Sequence, residues 1–111
     1  SREISKKAYI LDELAYPALV SDPYKQLLTK IGGEHFLFSS LVHAIIRQES
    51  RFNPKAESYP NALGLMQLKP TTAAEHEKRL KDYGLTLHIG MTLLDPKRNL
   101  SLGAIHLNHL I

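Results

Sequence analysis

Residues 39–73 read SSLVHAIIRQESRFNPKAESYPNALGLMQLKPTTA, and the change of pattern inside this stretch decides the fold class. The first part has a helical period. Val42, Ile45, Ile46 and Glu49 stand at i, i+3, i+4 and i+7, which is one face of an α-helix. Ser39 is placed to cap that helix, because its hydroxyl can accept from a free N–H of the first turn. Asn53-Pro54 stops the helix soon after Phe52, since a residue before proline avoids the helical region. From Asn53 to Leu68 no period persists. Pro54, Pro60, Asn61 and Gly64 interrupt the chain, so the spacing predicts a long structured loop with a short extended piece around Leu65–Leu68. Pro70-Thr71-Thr72 then opens a helix running to about Tyr83, and Gly84 closes it.

Outward from this centre the pattern stays helical. A helix is predicted from Pro23 to Ile31, with Asp22 as its cap, proline in its first turn and Gly32-Gly33 at its end. Residues 3–15 read as a further helix, punctuated by Pro17 and by Ser21-Asp22-Pro23. Residues 85–94 carry no clear period. Asp95-Pro96 starts a last helix, with Asp95 as cap and Pro96 at its first position. Its apolar stripe is Leu100, Gly103, Ala104, Leu107 and Ile111. The stripe is still running at Leu110-Ile111, so the fold is expected to continue beyond residue 111. The fold class that follows is mainly α, with little or no strand.

Composition narrows the chemistry. The chain's 111 residues suit one compact domain, which at this size buries roughly two-thirds of the unfolded surface. With 43% hydrophobic residues, 7% aromatic and no Trp, the core must be mostly Leu, Ile and Ala. Zero Cys excludes disulfides, thiol catalysis and zinc–thiolate sites. No apolar run reaches the roughly 18 residues needed to cross a membrane. Charges run through the middle of the N-terminal stretch, so it has no signal-peptide core. The net charge of +3 is dispersed, and no basic stripe with interleaved aromatics suggests nucleic acid. The densest block, EHEKRLKD, carries both signs. There Glu75 with Arg79 and Glu77 with Lys81 are spaced for i,i+4 pairs on a solvated face. His106 and His109 have an i,i+3 spacing that metal sites use, but the sequence offers no Cys or third ligand beside them, and no metal is expected. His43 reads as a packed or surface residue.

Glu49 is the residue with chemical promise. A carboxylate on an apolar stripe is costly to bury without partners, and desolvation favours its neutral form. A carboxylic acid kept neutral near pH 7 can act as a general acid, which cleavage of a glycosidic bond requires. Spacing leaves the alternative open: a helix-end Glu that turns to solvent or pairs with Arg47 or Arg51.

The surrounding string adds information. Glu49-Ser50, Phe52, Pro54, Ala56 with Ser58, Gly64 to Gln67, and Pro70 with Thr72-Ala73 resemble, in identity and spacing, the catalytic core of the soluble lytic murein transglycosylases. Asp95-Pro96, Asn99-Leu100 and Leu102-Gly103 extend the resemblance, which covers about residues 38–110. It stops before the family's Ala-Tyr-Asn-Ala-Gly segment. The family implies a lysozyme-like helical fold, related to goose-type lysozyme, over residues 38–111, with residues 1–37 as a helical lead-in. Leu14-Ala15-Tyr16-Pro17 looks like the family's entry into the domain, and residues 1–13 like the end of an upstream helical region.

Residue by residue, the resemblance gives Glu49 the acid/base role and Ser50 a supporting one. Ser58 and Gln67 would line the saccharide cleft, and Met66 would pack beneath it while its backbone shapes it. Position 69 is often Met in relatives. Lys69 here would reach an anionic muropeptide group or point to solvent. Phe52 and Leu65 read as core.

Glycosidases commonly pair two carboxylates, whereas this motif supplies one. The resemblance therefore implies that Glu49 protonates the oxygen linking N-acetylmuramic acid to N-acetylglucosamine. It would then deprotonate the C6 hydroxyl, closing a 1,6-anhydro ring without metal, cofactor or water. The expected partners are peptidoglycan strands and cell-wall assembly proteins, and the expected location is the periplasm. A muramidase-type hydrolase using the same Glu and a non-catalytic peptidoglycan-binding module are the competing readings.

Overall fold

The computed structural model describes residues 22–33, 36–85 and 92–111. The helix expected at residues 3–15 and most of the ambiguous stretch at 85–94 lie outside them. The described architecture is mainly helical, as expected for a lysozyme-like domain. In order, it comprises helix α1 (Asp22–Gly32), helix α2 (Phe36–Ser50), strands β1 (Glu57–Ser58) and β2 (Ala62–Leu63), helix α3 (Pro70–Glu77), a 3-10 turn (Leu80–Tyr83) and helix α4 (Pro96–Leu110).

Helix α4 is the centre. Asp95 caps it, its carboxylate accepting from the Arg98 N–H at 3.0 Å, as the sequence predicts. Residues 99–105 are buried all round, so the expected stripe is in fact a fully enclosed segment. Both α1 and α3 pack on it. Although α1 counts with the lead-in on sequence grounds, it sends Leu27, Leu28 and Ile31 into the same core. It ends at Gly33, whose φ of 76° is the left-handed stop that glycine adopts without strain.

Helix α2 starts three residues before Ser39, so that serine lies inside the helix instead of capping it. Packing accounts for the extra turn. Phe38 is buried, and its ring lies over Gly32 so closely that a Cβ there would overlap it. The buried row is therefore Phe38, Val42, Ile46 and Ser50, four residues apart, with Ile46 wholly enclosed. Burying a side chain of that size contributes roughly 1.5–3 kcal/mol. Ile45 is half-buried, and Glu49 falls at the open rim, where it is exposed. The sequence placed Glu49 on the buried stripe. The i+4 row ends on Ser50 instead.

The long loop folds as a small hairpin. β1 pairs with β2 antiparallel, Glu57 opposite Leu63 and Ser58 opposite Ala62. The extended piece thus lies upstream of the predicted Leu65–Leu68, and only Leu68 joins it, through a bridge to Leu63. Helix α3 begins at Pro70 as predicted but ends at Glu77, after which the 3-10 turn runs to Gly84 in the left-handed region. That early stop undoes the expected i,i+4 pairs. Arg79 turns back to the Glu75 carbonyl at 3.3 Å and to His76 Nδ1 at 2.9 Å, while Glu77 pairs with Arg98 on α4 at 2.5 Å.

His76, only 3% exposed, joins α3 to α4. Its Nε2 lies 2.8 Å from His106 Nδ1, and its ring leans on His109 with centroids 5.4 Å apart. A guanidinium can only donate, so His76 Nδ1 accepts from Arg79, and His76 Nε2–H must donate to His106. The histidines singled out for metal spacing thus meet a third one. Among the described residues, no group of three or more ligand-type side chains is arranged to hold a metal.

Candidate active site

The site grows from the end of α2. Ser50 is buried there, and its hydroxyl donates to the Ile46 carbonyl at 3.1 Å while its own carbonyl accepts from Asn53 N–H at 3.0 Å. Ser50 therefore fixes the last turn that carries Glu49. Directly after it, Arg51 and Phe52 both take positive φ, 53° and 62°. Left-handed backbone costs a non-glycine residue roughly 1–2 kcal/mol. Burial of the Phe52 ring, which meets His43 edge-on at 5.9 Å, offsets much of that cost. The reversal throws the chain sideways, and Asn53 sharpens it by accepting from Lys55 N–H at 3.1 Å. The effect is to lead the helix carrying Glu49 straight into the hairpin carrying Ser58.

Ser58 and Gln67, both expected to line the cleft, meet each other. The Ser58 hydroxyl donates to Gln67 Oε1 at 2.6 Å. Gln67 Nε2 donates to the carbonyls of Ala56 at 3.1 Å and Gly64 at 3.0 Å. A flipped amide would face oxygen with oxygen at both carbonyls, so the orientation follows from the network. Both amide protons of Gln67 are consumed within the protein. Gln67 is thus a strut that holds Ser58, with a single oxygen lone pair to spare. Ser58 has likewise given away its proton and presents lone pairs outward. It is exposed, and so is suited to accept from a hydroxyl or amide N–H.

Met66 is buried beneath this turn and lies against Gly103 of α4, where a Cβ would come 2.5 Å from its sulfur. Lys69 is exposed just before α3 and is not drawn into the Ser58–Gln67 network. Beside Ser58, a shallow depression of about 300 Å³ is lined by Glu57, Tyr59, Pro60, Asn61 and Leu63. Sequence reasoning gave no role to two residues near this site. Tyr59 is fully exposed at the hairpin, and Asn99 is 0% exposed on α4 with its amide turned to the 63–67 turn. Periodicity gives no signal for either, because an asparagine within an apolar helix declares itself only by what it touches.

The described chain is mainly helical, with Glu49 exposed near the end of α2 and Ser58 held by Gln67 at the hairpin. Residues 29–111 match the transglycosylase SLT domain family, and the chain belongs to that family. It is 38% identical over 91 residues to membrane-bound lytic murein transglycosylase C of Histophilus somni, an alignment covering 81% of this chain and 24% of that protein. Against membrane-bound lytic murein transglycosylase E of Buchnera aphidicola, identity is 30% over 105 residues, 95% of this chain and 47% of the relative. The transglycosylase C of Haemophilus influenzae is 37% identical over 84 residues, 76% of this chain and 23% of the relative. The chain spans less than half the length of each of these proteins.

Proposed function

We propose that this domain cleaves the β-1,4 bond between N-acetylmuramic acid and N-acetylglucosamine in peptidoglycan, with Glu49 as acid and then base. The observation that carries the reading is the junction at Ser50. Glu49 has an exposed carboxyl on the helix end that Ser50 fixes, and the hairpin that follows in the chain holds a Ser58 that offers only acceptor lone pairs. Sugar hydroxyls and N-acetyl N–H groups are the donors such a surface takes.

Glu49 is open to solvent in the described chain, so the dehydration it needs comes from the bound strand. Glycan laid over the carboxyl excludes water and favours the neutral acid, which donates to the glycosidic oxygen. The carboxylate so formed lies beside the developing cation and then takes the proton of the C6 hydroxyl, whose oxygen closes on C1. The bond to the leaving sugar breaks, the 1,6-anhydro bond forms, and Glu49 returns to its protonated state. The proposed setting is the periplasm, with peptidoglycan strands as the partner.

In the full-length protein, Glu49→Gln should lower release of soluble glycan from sacculi by about two to four orders of magnitude, the usual worth of a general acid/base. Its melting temperature should be unchanged, because the side chain is exposed. Release at the wild-type rate would place the chemistry elsewhere.

A further inference from the structure

We infer that Asn99 is a positioning residue for this site, acting on the glycan through the turn that carries Gln67. The inference rests on the glycan-cleaving reading above. Asn99 lies on α4, far from Glu49 in sequence, and is wholly enclosed. Its amide bonds the 63–67 turn and the segment just before α4. Oδ1 accepts from Met66 N–H at 2.8 Å, and Nδ2 donates to the Leu63 carbonyl at 2.7 Å and the Leu93 carbonyl at 2.8 Å.

Those contacts grip the turn from both sides. Leu63 is the β2 residue that pairs with Glu57 and exchanges two 3.0 Å hydrogen bonds with Leu68. Met66 is the residue immediately before Gln67. Between them, Gly64 has φ +76°, and a Cβ there would collide with the Asn99 amide and come within 2.6 Å of the Leu93 carbonyl. Gln67 itself is held at φ 49°, a region it does not choose freely. With Leu63 and Met66 pinned, the turn is held on both sides of Gly64 and up to the residue before Gln67. The Gln67 amide then meets the Ala56 and Gly64 carbonyls, and its oxygen fixes the Ser58 hydroxyl.

Core filling alone does not account for the choice of residue. Asparagine is a poor helix former, and an amide is costly to enclose unless every bond is made. Leucine has similar bulk and occupies the next position, Leu100, in the same buried segment. The amide at 99 supplies what leucine cannot: a donor and an acceptor aimed at the turn, and a second donor that ties it to Leu93.

The test uses the full-length protein carrying Glu49→Gln, so that substrate is not turned over, and a peptide-free GlcNAc–MurNAc tetrasaccharide as probe. Affinity is measured by calorimetry well below the melting temperature. Adding Asn99→Leu or Asn99→Asp should weaken binding by about tenfold or more, the worth of one well-made polar contact. Asn99→Ser serves if neither variant folds. Leu28→Ala, a core cavity on α1 that removes no hydrogen bond to the turn, should lower the melting temperature yet leave affinity within about twofold. The Gln67 side-chain amide resonances, read with selective ¹⁵N-glutamine labelling, should move in the Asn99 variants and stay in Leu28→Ala. If the parent binds and the Asn99 variants bind equally well, Asn99 is a structural residue only and the inference falls while the glycan reading stands. If the parent does not bind the tetrasaccharide, the glycan reading falls and takes this inference with it.

Discussion

Gly64→Ala should be among the most damaging conservative changes in the hairpin region. Two costs add. The residue sits at φ +76°, where a side chain costs roughly 1–2 kcal/mol. The new Cβ would also lie 2.6 Å from the Leu93 carbonyl and 2.9 Å from Asn99 Cγ, closer than such atoms approach. Neither neighbour is the free end of a flexible chain, so something must shift, and overpacking of that kind costs roughly 1–3 kcal/mol. Alanine recovers about 0.4–1 kcal/mol by stiffening the unfolded chain. The net is a loss of about 3 kcal/mol, which in a domain of this size lowers the melting temperature by roughly 12–20 °C. Gly84→Ala provides the internal control. Gly84 has φ +69°, but a Cβ there meets nothing within 4 Å. It should show the backbone cost less the unfolded-state gain, about 1 kcal/mol. Thermal and urea unfolding of both variants followed by circular dichroism separate the two terms. Equal effects of the two substitutions would refute the claim that Asn99 and Leu93 crowd the turn.

Acid should loosen the α3–α4 contact. Burial holds the His76 imidazole below its ordinary pKa of 6.5, aided by His106, Arg79 and His109 and opposed by Glu75. His43 is shifted the same way by desolvation. The unfolded chain therefore binds more protons, so this stability is fully present above about pH 6.5 and is lost as pH falls through the lowered folded-state values. The melting temperature should drop from pH 7.5 to pH 5, and His76→Gln should flatten but not abolish the slope; a flat wild-type profile would contradict the tautomer-locked cluster. Ser58→Ala should behave differently, because its bond to Gln67 is exposed to water. The stability loss should stay under about 1 kcal/mol, while glycan release from sacculi falls. Unchanged release would remove Ser58 from the site.

Much of the fold was legible because local signals and packing agree. Asp95-Pro96 caps and starts α4 as its residue types require, Pro70 opens α3, and Gly33 and Gly84 take the left-handed stops. The differences arise where tertiary contact outweighs a local preference. Ser39 has capping chemistry, but Phe38 packing on Gly32 draws the helix past it. Glu75–Arg79 and Glu77–Lys81 have pairing distance only if the helix persists, and it ends at Glu77. For the site, the motif picked out Glu49, Ser58 and Gln67, and the hairpin unites the last two. Two things were not legible. One is the exposure of Glu49, since a 3.6-residue period does not distinguish the centre of a buried face from its rim. The other is Asn99, whose role exists only in the contacts it makes across the fold.

The most direct test of the account is the mass of muropeptides released from purified sacculi by the full-length protein and by its Glu49→Gln variant. The account predicts products ending in 1,6-anhydro-N-acetylmuramic acid, each lighter by one water than the reducing-end form, from the wild type and none from the variant. Reducing-end products, or anhydro products that persist without the Glu49 carboxyl, would contradict it.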